Sequence, residues 1–193
     1  PGLRQELGLS ADDALVGMVA CLKPQKSPGD FIRLAELINQ SLPEVKFILV
    51  GDGTLREDIE DLISKYNLRR NMFLLGWRDD IPEILSAIDV FVLTSLWEGL
   101  PISVLEAIVS GRPVVATDTG GIKEAVFESK TGFLVPQGDV KAMAGKVKIL
   151  LNDKSLRLKI GDNAHSGLGV SYRLDCMVSS TKELYENLLA ARA

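Results

Sequence analysis

The sequence predicts an α/β fold, an open parallel sheet with helices on both faces. Three observations carry this reading. Short runs rich in Val, Ile, Leu and Phe recur along the chain, each bounded by Gly, Pro, Asp or Ser, and runs apolar on both faces suit parallel strands covered above and below. Between them lie stretches with apolar residues at helical spacing. The 193 residues are 46% apolar and 25% charged, a composition that buries enough surface to offset the cost of ordering the backbone.

The first predicted strand is 14–20. Asp30 is then placed to cap a helix with Phe31, Leu34, Ala35 and Ile38 on one face. After a strand at 45–50, Thr54 is placed to cap a helix with Leu55, Ile59, Leu62, Ile63 and Tyr66 inward, and Arg56, Glu57, Asp58, Glu60 and Asp61 form its solvated face. A strand at 72–75 leads to a shorter helix at 82–87, and a strand at 90–94 leads through a loop to a helix whose first turn begins at Pro101. A strand at 113–117 is followed by a Gly120-Gly121 turn, a short helix and a last short strand at 132–135. Asp139 caps a helix with Val140, Met143, Val147, Leu150 and Leu151 inward. Two more helices follow, the last using Leu174, Met177, Val178, Thr181, Leu184, Tyr185, Leu188 and Leu189. With no composition break, linker or repeat, residues 1–193 read as one Rossmann-like domain.

Charge and cysteine usage narrow the function. The formal charge is −4, from 22 Lys and Arg against 26 Asp and Glu, the wrong sign for a nucleic-acid-coating surface. Cys21 and Cys176 are the two cysteines; they make no disulfide framework, so a reducing, cytoplasmic compartment is expected. The apolar run 14–22 is too short to span a bilayer, and no signal peptide is visible. Because the chain starts at Pro1 rather than Met, an upstream part of a longer protein is expected. Asp12-Asp13 and Asp79-Asp80 read as loop and cap acids rather than metal ligands. His165 reads as structural or surface. The Gly51-Asp52-Gly53 stretch is a partial dinucleotide fingerprint that fails at Arg56, where the third glycine belongs.

In an open parallel sheet, ligands bind beyond the carboxyl ends of the strands, which singles out loops 21–29, 51–54, 76–80 and 95–101. The most informative is Ser95-Leu96-Trp97-Glu98-Gly99-Leu100-Pro101-Ile102-Ser103-Val104-Leu105-Glu106-Ala107. The first-turn amides of Ile102 and Ser103, with the positive end of the helix dipole, form a seat for an anion such as phosphate. Gly99 lets a ligand approach the backbone. Glu98 and Glu106 are too far apart in sequence to act as a carboxylate pair; they either accept hydroxyls at two points of an extended polar ligand or merely complement the helix dipole. Lys23 and Lys26, after the first strand, either bring positive charge to the same cleft or are simply solvated.

Taken together these segments resemble the nucleotide-sugar-binding C-terminal half of GT-B glycosyltransferases of the large retaining family called group 1 or family 4. The most specific part is the E-x7-E element from Glu98 to Glu106. Supporting pieces are Val50-Gly51-Asp52-Gly53, Leu75-Gly76-Trp77, Ser110-Gly111-Arg112-Pro113, Gly120-Gly121 and Thr131-Gly132-Phe133. The resemblance implies that Glu98 contacts the donor sugar and Glu106 the ribose. It implies that amides near Leu100, Ile102 and Ser103, next to Gly99, hold sugar and diphosphate. It makes Lys26 the diphosphate-binding lysine, with Glu98 and Lys26 as the catalytic pair. Gly51 is expected on the donor side, and Trp77 and Arg78 are expected to border the nucleobase, largely through backbone. One departure stands out. Ala20-Cys21 replaces the family's Gly-Arg, and a thiol does not substitute for a guanidinium fork; Lys23 is a candidate for the missing charge, and Cys21 reads as a buried small residue rather than a reactive thiol.

The reaction implied is retaining transfer of a glycosyl group from a UDP-, GDP- or ADP-sugar to an acceptor hydroxyl, with no metal or other cofactor. The acceptor, a carbohydrate or a lipid-linked one, would be bound through an N-terminal domain absent from this chain, so the chain alone is expected to bind donor weakly without turnover. The full-length protein would be cytoplasmic, or peripheral to the inner face of a membrane. A non-catalytic nucleotide-sugar-binding domain is the alternative, and a nicotinamide-dependent module shares the fold class without the fingerprint.

Overall fold

The computed structural model describes residues 2–169, 172 and 174–190. Six strands, β1 (Leu15–Val19), β2 (Lys46–Val50), β3 (Met72–Gly76), β4 (Val90–Leu93), β5 (Val114–Thr117) and β6 (Gly132–Val135), form one sheet in the order β3-β2-β1-β4-β5-β6. Every neighbouring pair is parallel. The strands lie within the predicted runs except that β3 extends to Gly76. Their side chains are apolar on both faces: Leu15, Val16 and Met18 of β1 and Val90, Phe91, Val92 and Leu93 of β4 have no exposed surface. Strands so covered must be crossed by helices, and parallel neighbours require it.

The helices are α1 (Leu3–Glu6), α2 (Pro28–Asn39), α3 (Arg56–Lys65), α4 (Ile81–Ala87), α5 (Ile102–Val109), α6 (Ile122–Ala125), α7 (Val140–Asn152), α8 (Lys154–Gly167) and α9 (Leu174–Ala190). A 3-10 turn over Pro24–Lys26 precedes α2. α2 packs on α3 and α7, while α5 packs on α4 and α8. Phe31 of α2 meets Phe47 of β2 edge to face, with ring centroids 6.2 Å apart.

Several helix starts differ from the sequence reading. α2 begins at Pro28, with Ser27 at the N-cap in a left-handed conformation (φ 43°, ψ 53°). Asp30 is therefore inside the first turn, where its carboxylate accepts from Ser27 Oγ at 2.8 Å and from Arg33 at 2.7 Å. Asp30 is thus displaced from the expected cap, because proline at the first helical position fixes the start one residue after Ser27. α3 begins at Arg56 after Leu55, not at Thr54, and Asp52 holds that turn by accepting from Gly53 N and from Arg56. Pro101 is the N-cap of α5 rather than its first helical residue. Asp139 caps α7 as expected, accepting from Ala142 N at 2.9 Å.

The last helix departs furthest from a core reading. No residue of α9 is buried, and Leu174, Leu184, Tyr185 and Leu189 are among the most exposed apolar side chains described. Its amphipathic pattern is real, but only its first turn, through Leu174 and Met177, borders an apolar groove with α4 and α5, and most of its apolar side chains stay exposed. No helix among the described residues is long and apolar enough to cross a membrane.

Candidate functional site

The strand order reverses between β1 and β4, since the chain runs outward from β1 through β2 to β3 and then returns to β4 on the other side. At such a switch point the crossovers leaving the two adjacent strands, β1→β2 and β4→β5, run in opposite directions and open a crevice beyond the strand ends. The loops after β1 and β4 flank it, and they carry Lys26 and Glu98.

The structure brings these two together. Lys26 Nζ donates to Glu98 Oε1 at 2.5 Å, with side-chain exposures of 16% and 6%. Ser95 Oγ donates to the same oxygen, also at 2.5 Å. Glu98 thus has one carboxylate oxygen engaged by an ammonium and a hydroxyl inside a largely desolvated pocket. Charge-assisted bonds of this kind are stronger than neutral ones.

A set of polar contacts holds the segment around Glu98. Leu96 N donates to Gln25 O at 2.8 Å, and Gln25 Nε2 donates to Trp97 O at 2.9 Å, tying it to the β1 loop. On the other side Thr119 Oγ1 and Gln137 Nε2 both donate to Leu96 O. Gly121 N donates to Gly99 O at 2.6 Å. Gly120 (φ +55°) lies so close that a Cβ there would stand 1.7 Å from Glu98 O. The Gly-Gly turn after β5 is the floor of the Glu98 loop, and only glycine fits it. Sequence reasoning missed Gln25, Ser95, Thr119 and Gln137 as supports. Their chemistry is ordinary for loops, and only the folded neighbourhood of β1, β4 and β5 reveals their targets.

The other expected site residues fall in distinct places. Ile102 and Ser103 open α5, where first-turn amides have no carbonyl of the preceding turn to bond. Gly99 is exposed, and a Cβ there would meet nothing within 4 Å, which leaves the backbone open to a ligand. Leu100 is half-buried. Gly51 differs: at φ +120° a Cβ would sit 2.2 Å from Ala20 O, so its missing side chain serves the packing of the β2 loop on the β1 loop.

Trp77 is 73% exposed at the end of β3. Arg78 is not free to reach out. Its guanidinium pairs with Glu6 at 2.8 Å and Asp80 at 2.6 Å, and these carboxylates push its pKa further up. In turn it holds Glu6 and Asp80 below the usual carboxylate range. Arg78 therefore ties α1 to the loop before α4, leaving backbone as its means of touching a ligand.

Glu106 lies one turn into α5 on a groove of about 510 Å³ whose other walls include Ile81, Leu85, Ile102, Leu105 and Met177. Burial against these apolar neighbours pushes its pKa up. Glu98 and Glu106 are not a carboxylate pair: Glu106 lines the groove between α4, α5 and α9, whereas Glu98 is bonded to Lys26 and Ser95 at the crevice. Cys21 is half-buried and free, and Lys23 is exposed. His165 is exposed on α8, its Nδ1 2.7 Å from Val109 O, in a structural contact. Asp13 accepts from Ser10 N, as a loop acid should. Among the described residues no group of three or more His, Cys, Asp or Glu is placed to hold a metal ion.

Comparison with known proteins gives a consistent result. The family described as "Glycosyl transferases group 1" matches residues 2–166. The chain is 35% identical over 186 residues to an Escherichia coli UDP-Gal:alpha-D-GlcNAc-diphosphoundecaprenol alpha-1,3-galactosyltransferase, covering 95% of this chain and 48% of that protein. The Anabaena protein Alr3699/HepE, solved with UDP and with UDP-glucose, superposes with a TM-score of 0.84 at 30% identity over 97% of this chain and 51% of that one. Staphylococcus aureus TarM, solved with UDP, superposes with a TM-score of 0.82 at 30% identity over 90% of this chain and 35% of that one. The chain spans about half or less of the length of these relatives.

Proposed function

The chain belongs to the group 1 glycosyl transferases, and from that premise we propose that it is the donor-binding domain of a retaining enzyme. It takes a nucleotide diphosphate sugar and supports transfer of the sugar to an acceptor hydroxyl. The observation that carries this reading is the Lys26–Glu98 pair, 2.5 Å apart at the strand-order reversal and beside the start of α5.

In this reading Lys26 and the amides of Ile102 and Ser103 receive the diphosphate. Glu98 and the open backbone at Gly99 and Leu100 receive the sugar, and Glu106 the ribose hydroxyls. The base lies along the Trp77–Arg78 backbone. Transfer breaks the bond between the anomeric carbon and the diphosphate oxygen and forms one to the acceptor oxygen, whose proton passes to the departing diphosphate. Negative charge then grows on the departing diphosphate, and a fixed ammonium and oriented amides stabilise it most in the transition state. These groups supply the charge a metal would otherwise supply, so we propose metal-independent transfer. An N-terminal domain would bring the carbohydrate or lipid-linked acceptor, and the protein would work in the cytoplasm, where Cys21 and Cys176 stay reduced.

A thermal-shift screen of UDP-, GDP- and ADP-sugars tests the donor site, because a ligand that binds only the native state raises its stability. Repeating it with EDTA tests the metal proposal; a shift that vanishes on chelation would refute it. Ala20-Cys21 in place of the family's Gly-Arg favours a second reading, a donor-binding domain without catalysis. Glu98→Ala in a two-domain protein separates them: loss of sugar transfer with donor still bound supports the enzyme. No transfer by the unsubstituted two-domain protein, with donor bound, supports the second reading.

A further inference from the structure

The two loops that meet in the Lys26–Glu98 pair are each anchored from below by a buried threonine. Thr94, immediately after β4, is 2% exposed; its single Oγ1 proton is shared between Lys26 O and Ser27 O, each at 2.9 Å. Thr117, the last residue of β5, is also 2% exposed, and its Oγ1 donates to Ser95 O at 2.5 Å. β4 and β5 are hydrogen-bonded neighbours with Leu93 opposite Ala116, so the two threonines that follow lie next to each other at the strand ends, beneath the loops.

What they hold is backbone with little reason to stay put by itself. Ser27 occupies the left-handed region at φ 43°, which costs a residue with a Cβ energy and persists only where surrounding contacts over-determine it. Thr94 grips the carbonyls on both sides of that residue, directly after Lys26. Thr117 grips the carbonyl of Ser95, whose own hydroxyl bonds Glu98. Neither threonine reaches the crevice surface.

We infer that Thr94 and Thr117 are positioning residues that set the approach of Lys26 to Glu98, and through it the affinity of the site for a diphosphate. This rests on the donor-site reading above. The hydroxyl is the active part in each case, since it is the only group on either side chain that makes these bonds.

The test is titration calorimetry of the chain with UDP as probe, comparing Thr94→Val and Thr117→Val with Thr94→Ser and Thr117→Ser, and Lys26→Ala as reference. Each Val variant is expected to bind UDP about five- to tenfold more weakly, the equivalent of one hydrogen bond. The Ser variants keep the hydroxyl and are expected to bind as the unsubstituted chain does. A role in packing alone reverses that order, because Ser loses the methyl that Val retains. If a Val variant does not fold, the corresponding Ala variant takes its place. Val variants that bind UDP unchanged while Lys26→Ala loses it, or Ser variants that fail alongside the Val variants, overturn the inference alone. An unsubstituted chain that binds none of UDP, GDP and ADP overturns the donor reading and this inference with it.

Discussion

Lys26 Nζ and Glu98 Oε1 meet at 2.5 Å across 72 residues of sequence. The contact exists because β1 and β4 are adjacent in the sheet although three crossovers separate them in the chain. With 16% and 6% side-chain exposure, the pair is shielded enough that removing one partner strands the other. Lys26→Met should therefore cost about 1–3 kcal/mol of stability, read by urea unfolding. The same substitution in a Glu98→Gln background should cost less, since a neutral amide has less to lose. A double-mutant cycle with no coupling between the two positions would show that the pair contributes nothing in solution.

The sheet was legible in the sequence because buried parallel strands announce themselves as apolar runs with polar ends, as 90–94 and 113–117 do. The start of α5 was legible because Pro101 marks it locally, although Pro101 is its N-cap rather than its first helical residue. Capping was less so: Asp30 suits an N-cap by type, but Pro28 takes the first helical position and puts Ser27 at the cap instead. What sequence could not show are the partners. Arg78 shows no partner in its own segment beyond Asp80 until Glu6, far upstream, closes on it. Thr94 and Thr117 read as strand ends until the loops above them fold back. Such contacts are fixed by topology, not by local pattern.

Glu106 carries an expectation about pH. Its raised pKa comes from apolar surroundings, so its carboxyl takes up a proton above the ordinary glutamate value of about 4.3. If the ionised form accepts ribose hydroxyls, UDP affinity should fall as pH drops from neutrality through that raised value, and Glu106→Gln should flatten the profile. Folding responds with the opposite sign. A raised acid pKa means that the native state holds the proton more firmly than the unfolded chain. This contribution is lost as pH rises, so Glu106→Gln should leave neutral-pH stability equal or higher. Titrations across pH with UDP, and thermal unfolding of both forms, check the two arms.

The outward face of α9 yields a contrast in stability. None of its residues is buried, so Leu184→Glu and Leu188→Glu should each change the unfolding free energy of the chain by no more than about 0.5 kcal/mol. Phe91→Ala, in the fully buried centre of β4, should cost about 3–5 kcal/mol. Urea unfolding distinguishes the cases. A large loss from the α9 substitutions would mean that the helix packs on the chain in solution.

Gly120 offers the sharpest test of how the Glu98 loop is supported. Two glycines at positive φ differ only in what surrounds them. Gly120 (φ +55°) would place a Cβ 1.7 Å from Glu98 O, whereas Gly138 (φ +73°) would place one in open space. Gly138→Ala should cost about 1 kcal/mol, the strain of a left-handed residue. Gly120→Ala adds a collision with backbone, which no rotamer change relieves, so the Glu98 loop must move. It should cost clearly more than the Gly138 variant in urea unfolding, and should also weaken UDP binding, which Gly138→Ala should spare. Equal effects of the two substitutions would show that the Gly-Gly turn does not bear on Glu98.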